Sequence, residues 1–105
     1  MQFVTGQDED LRANMGQHVC TLGIVAFLER RGQLTFLQLQ DMREGFDGLI
    51  ECVVQAQEDG NGILRHSIVF VEGIMCRAES KADGAQIQVT HLYPVGVPWG
   101  KENVT

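Results

Sequence analysis

Apolar residues in this chain gather into short runs separated by polar, glycine-bearing stretches, and five of the runs carry strand features. His18 to Leu28 (HVCTLGIVAFL) is rich in Val, Ile, Leu and Phe, with Gly23 inside it, which predicts a long strand that bends. A polar turn, Glu29 to Gln33, then leads into a second strand, Leu34 to Gln40, so the two form a hairpin. Asp41 to Gly45 is a second turn, and Leu49 to Val54 a third strand, interrupted by Glu51. The turn-rich stretch Gln55 to Gly62 leads to the fourth and most apolar run, Ser67 to Arg77. A loop, Glu79 to Ala85, precedes the fifth strand, Gln86 to Tyr93, which Pro94 is expected to end. Ahead of all five, Asp8 to Met15 is acidic at its front and stops at Gly16, which predicts a short helical segment.

Five strands, the first long and bent, with a wide connection between the third and fourth, are most economically closed into a small barrel, which leaves no open edge. The pattern therefore predicts an all-β chain, best fitted by a five-stranded Greek-key OB-fold barrel with a short N-terminal helical segment. An SH3-like barrel or a small sandwich has the same periodicity. The expected divisions are an N-terminal segment, 1–17, the barrel, 18–95, and a tail or hinge, 96–105.

Period two also sorts the second strand. Thr35, Leu37 and Leu39 share one face, and Leu34, Phe36, Gln38 and Gln40 the other, so Phe36 is an aromatic among amides. Such a ring is either core or a platform for a flat ligand. The 105 residues suit one domain, and eight basic against fourteen acidic residues give a net charge of −6. That balance excludes the broad basic footprint of non-specific nucleic-acid binding, so any such role must be local and geometric. Cys20, Cys52 and Cys76 form no C-x-x-C pair and lie in apolar runs, which predicts three buried thiols in a reducing compartment. The start has no cationic segment leading into a long apolar stretch, and a cytoplasmic protein without membrane contact is expected. His18, His66 and His91 are scattered away from ligand spacing, so no metal or other cofactor is expected. Gly60-Asn61-Gly62 lacks the Lys-Ser/Thr of a phosphate-binding loop and reads as a turn. Arg30, Arg31 and Arg43, at the turns, are candidates for phosphate contact.

Several motifs resemble a known family. They are V-x-x-x-G-x-V at Val19, Gly23 and Val25, the hairpin glycine Gly32, and the L-x-F-L-x-L run from Leu34 to Leu39. More specific is S-I-V-x-V-E-G from Ser67 to Gly73, followed by Q-I-Q-V-x-x-L-Y from Gln86 to Tyr93. From Leu11 to Val95 the chain resembles the N-terminal anticodon-binding OB domain of class II aminoacyl-tRNA synthetases, closest to aspartyl-tRNA synthetases of eukaryotic and archaeal type. The resemblance implies a tRNA anticodon loop splayed over the sheet, with one base on Phe36 and others read by the third and fourth strands. It implies roles for Glu72 in V-E-G and for Glu51, nearest to the family's base-reading glutamine, and Gln38, which alternation puts on the face of the ring, joins them as a candidate. The turn arginines Arg30 and Arg31 complete the expected RNA-binding set.

The chain also departs from the family. An ionised Glu51 offers only acceptors where a glutamine offers donor and acceptor, and it repels phosphate. Ala26-Phe27-Leu28-Glu29 replaces basic residues, the Gln55 to His66 connection is short, and Phe70 stands where a polar residue is usual. No residue matches the family's catalytic motifs, so any aspartate-tRNA ligase activity would belong to a downstream catalytic domain, a further implied partner. The alternative is a free-standing acidic OB paralogue, serving as a protein-interaction or dimerisation module, for which a homodimer is the simplest form.

Overall fold

The computed structural model describes residues 1–42, 48–55, 63, 65–78 and 84–96. Arg43, the Gly60-Asn61-Gly62 turn, most of the loop before the last strand and the tail from residue 97 lie outside the described residues. Six strands and one helix occur in the order β1 (Gln2–Phe3), α1 (Asp8–Ala13), β2 (His18–Arg31), β3 (Leu34–Asp41), β4 (Leu49–Gln55), β5 (Ile68–Arg77) and β6 (Ala85–Gly96).

The strands pair in the order β1-β2-β3-β4-β6-β5, and β5 returns to β2. Five of them thus close a barrel, with a parallel β4–β6 pairing where the chain crosses over and antiparallel pairings elsewhere in the wall. This is the OB-fold.

Closure depends on β2, a 14-residue strand. Its first half, His18 to Ile24, pairs with β5, and Gly23 to Arg31 pairs with β3. Gly23 sits at the changeover, opposite both Val69 and Asp41. A side chain there would meet the Gln40 carbonyl oxygen at 2.7 Å, so only glycine lets the strand turn this corner.

The alternating pattern faces as expected. Thr35, Leu37, Leu39, Ile50, Cys52, Val54, Val69, Val71, Met75 and Ile87 are buried inside the barrel. The N-terminal segment closes one side of it. Val4 is fully buried, its N–H donates to the Cys20 carbonyl at 2.9 Å, and the buried Thr21 hydroxyl donates to the Val4 carbonyl at 2.9 Å. Leu11 of α1 joins the same core.

Four expectations need correction. Glu29 to Arg31 belong to β2 rather than to the turn, which is only Gly32 and Gln33, with Gly32 at φ 58°. The short strand β1 pairs in parallel with Val19 and Cys20, on the part of β2 that β3 does not reach. Two residues carry no readable period, so pattern could not reveal it. Pro94 does not end the last strand, which continues to Gly96. Pro94 lies opposite Val69 beside an irregularity in the β5–β6 register, where a missing N–H is tolerated. Cys20 and Cys52 are buried free thiols, but Cys76 is half-buried because it faces outward on β5. Burial raises the Cys20 thiol pKa, with a further push from Glu72, and burial likewise pushes Cys52 far above its ordinary value.

Candidate nucleic-acid interface

Strand parity and register arrange the outer face of β2, β3, β4 and β6 in rows. One row runs Phe27, Gln38, Glu51, Gln86 across the four strands, and the next runs Glu29, Phe36, Val53, Gln88. A third begins Arg31, Leu34, Gln55. Between the first two rows lies a shallow groove lined by Phe27, Glu29, Arg31, Phe36, Gln38 and Glu51, with Gln86 at its far side. Its volume is about 160 Å³. That is below the roughly 300–1,000 Å³ of small-molecule pockets, so the groove suits one flat ring rather than an enclosed ligand.

Phe36 is half-buried, with the buried Leu37 and Thr35 beside it turned into the core. One face of its ring is occupied. The Arg31 guanidinium carbon lies 5.3 Å from the ring centroid, a cation–π arrangement. Glu29 holds that guanidinium in place, accepting from Nε at 2.9 Å and from Nη2 at 3.0 Å. These hydrogen bonds lower the Glu29 pKa and raise that of Arg31, and the attraction between the charges adds to both shifts. Both side chains are well exposed, so the pair is a screened surface contact that a ligand can exchange.

The predicted residues are not all brought together. Phe36, Gln38, Glu51 and Arg31 line the one groove. Arg30 points to the other side of β2 and donates to the Ile63 carbonyl at 3.3 Å, so the two adjacent arginines serve different places. Glu72 lies on β5, opposite Cys20 and His91, with its carboxylate 3.8 Å from His91 Nδ1. β5 adjoins β2 and β6 rather than β3 or β4, so Glu72 stands apart from the Phe36 groove and not on a strand neighbouring that ring. It borders an aromatic row instead, in which Tyr93 lies 6.1 Å from Phe70 and stacks 6.2 Å from His91. The sequence reading missed Phe27, Glu29 and Gln86 as groove residues. Alternation from Phe27 through Glu29 to Arg31 was the available signal, hidden when the turn was started three residues too early.

No family model matches the chain, and neither does any curated protein sequence. Solved structures do match. The asparaginyl-tRNA synthetase of Pyrococcus horikoshii is similar over 82% of this chain and 21% of its own, at 26% identity and a TM-score of 0.67. Among the structural neighbours of this chain are tRNA synthetases. A Leishmania major protein described as an aspartyl-tRNA synthetase is similar over 93% of this chain and 21% of its own, at 16% identity and a TM-score of 0.70. An OBody bound to hen egg-white lysozyme is similar over 80% of this chain and 84% of its own, at 19% identity and a TM-score of 0.65. The chain thus spans about a fifth of the length of the synthetases it matches. Synthetases of both asparaginyl and aspartyl type thus share the OB fold of this chain, which is the coarser part of the sequence resemblance.

Proposed function

We propose that this chain is the tRNA anticodon-binding OB domain of an aspartyl-type synthetase, holding unpaired anticodon bases on its β3–β4 face. The observation that carries this reading is Phe36, a half-buried ring in a one-ring groove with amide and carboxylate groups beside it. A base stacked there contributes on the order of 1–3 kcal/mol, and Gln38 and Glu51 offer hydrogen bonds to its edge. The base takes the place of the Arg31 guanidinium, or stacks on its outer plane. The catalytic step belongs to a separate domain, and a cytosolic location goes with this reading.

Titration of the chain with aspartate and asparagine anticodon stem-loops tests it. The expected result is binding that Phe36→Ala weakens by roughly fivefold to a hundredfold, the range of one lost base stack. Equal binding by the variant removes the stacking role. A second reading, a protein-interaction module, is favoured by one separate observation, the row of half-buried Phe70 and exposed Tyr93 and His91 on β5 and β6. Under that reading Tyr93→Ala, rather than Phe36→Ala, abolishes partner binding.

A further inference from the structure

Away from the Phe36 groove, β2, β5 and β6 present a second outward face. One row across it runs Cys20, Glu72, His91, and the next runs Leu22, Phe70, Tyr93. Phe70 and Glu72 alternate along β5, and His91 and Tyr93 along β6, so the four stand as a two-by-two block of one carboxylate and three rings. We propose that this block is a docking site for an arginine side chain presented by a basic segment of a partner protein. The inference rests on the protein-interaction reading of this row given above, names the chemistry of its partner, and leaves the Phe36 face free for RNA.

Three observations carry it. The first is the state of the carboxylate. The Glu72 side chain is 21% exposed, and its ion contact is with His91 Nδ1, at 3.8 Å. No arginine or lysine among the described residues pairs with it. A carboxylate so covered has lost much of its water, and it gains most from a cation that a partner brings. Its field already reaches across the row, where Glu72 adds to the upward shift that burial gives the Cys20 thiol.

The second observation is the rings. Tyr93 lies 6.1 Å from Phe70 and 6.2 Å from His91, with only 10° between its plane and that of His91. An aromatic face attracts a guanidinium within about 6 Å of its centroid, and alternate residues of a strand stand roughly 6.8 Å apart. One planar cation can therefore meet a ring and the carboxylate together. Leu22 and Phe70 are half-buried, whereas Tyr93 is 47% exposed, so the block is an open face that a protruding side chain can reach. Arginine fits better than lysine, because its flat head stacks on a ring and pairs with both carboxylate oxygens.

The third is a precedent in the same chain. Glu29 holds the Arg31 guanidinium 5.3 Å from the centre of the Phe36 ring, a set of one carboxylate, one guanidinium and one ring. The β5–β6 block repeats the carboxylate and the rings, and no described residue supplies the guanidinium. A chain of net charge −6 draws a basic protein segment, while Glu72 repels nucleic-acid phosphates from this face.

The test uses the full chain and a set of seven-residue peptides, each with a central arginine among aliphatic residues and glycines. Binding is followed through the ring NMR signals of Tyr93, the only tyrosine. Arginine peptides shift those signals, and exchange of the arginine for citrulline, its uncharged isostere, weakens binding roughly twofold to thirtyfold. Glu72→Gln shrinks that difference by removing the charge that the guanidinium meets, and Tyr93→Leu shrinks it by removing the ring while keeping apolar bulk. Glutamine matches glutamate in shape, and Tyr93 is exposed, so both variants keep the fold. Equal affinity for arginine and citrulline peptides overturns the cation site, and loss of that binding in Tyr93→Ala would leave the interaction reading standing. If no peptide of either kind moves the Tyr93 signals, both fall. Tyr93 signals that move instead with an anticodon stem-loop, or with dilution of the chain alone, assign the face to RNA or to a second copy and overturn the inference.

Discussion

At the scale of single residues, the decisive feature is the guanidinium that already covers the proposed stacking ring. Glu29 is the group that holds it. Because the folded-state pKa of Glu29 is depressed, the pair contributes above the ordinary carboxyl value near 4.5 and is lost as pH falls through the lower folded value. Arg31→Ala is therefore expected to bring the Glu29 midpoint back up to about its ordinary value, as read by NMR titration of the side-chain carboxyl. An unchanged midpoint would mean that Arg31 is not the cause. Alternation alone put Phe36 and Gln38 on one face and Leu37 on the other, since a strand has only two faces; which face pointed outward it left open. Arg31 over Phe36 was not legible. It depends on β2 running on to Arg31, and charged residues beside a glycine look the same in a turn as in a strand end.

Among the elements, the most informative piece is the V-E-G stretch of β5. Its glycine lies at a register shift against β6, where a Cβ would fall on the Gln88 carbonyl oxygen and within 2.8 Å of Ile87 Cγ2. Gly73 is thus required by the close approach of two strands. The motif that most strongly suggested the family serves the barrel wall at this residue. Gly73→Ala is expected to destabilise the chain by about 1–3 kcal/mol, the cost of forcing one methyl into a packed site, seen as a lower denaturant midpoint with unchanged slope. Five strand positions were readable because each run has a clear period and glycine punctuation. The closing partners, β5 to β2 and β4 to β6, were not, because nothing local in a strand names its neighbour.

For the whole molecule, acidity sets the terms of any RNA contact. A strongly basic binder loses affinity steeply with salt, by about 0.7 in log K per log unit of salt for each single-strand phosphate neutralised. Of the groove residues, Arg31 is the cation, already engaged by Glu29. Affinity for an anticodon stem-loop should therefore fall with a slope no steeper than about −1.5, measured between low and physiological salt. A slope near −4 would point to a basic surface elsewhere. With the shallow slope, contact with the bases rather than phosphate neutralisation carries the binding.

The double duty of β2 has a mechanical consequence. With its two halves bonded to β3 and β5, which are themselves tied through β4 and β6, the wall is a continuous hoop, and one strand cannot peel away without breaking the ring. Slow opening of that hoop is as costly as unfolding the domain, so its interior amides should exchange with solvent only through global unfolding. A ligand arriving on the outer face then meets a backbone that does not yield. Adjustment is left to side chains such as Arg31, which reorient in picoseconds to nanoseconds, so recognition can be fast on a scaffold that is itself slow.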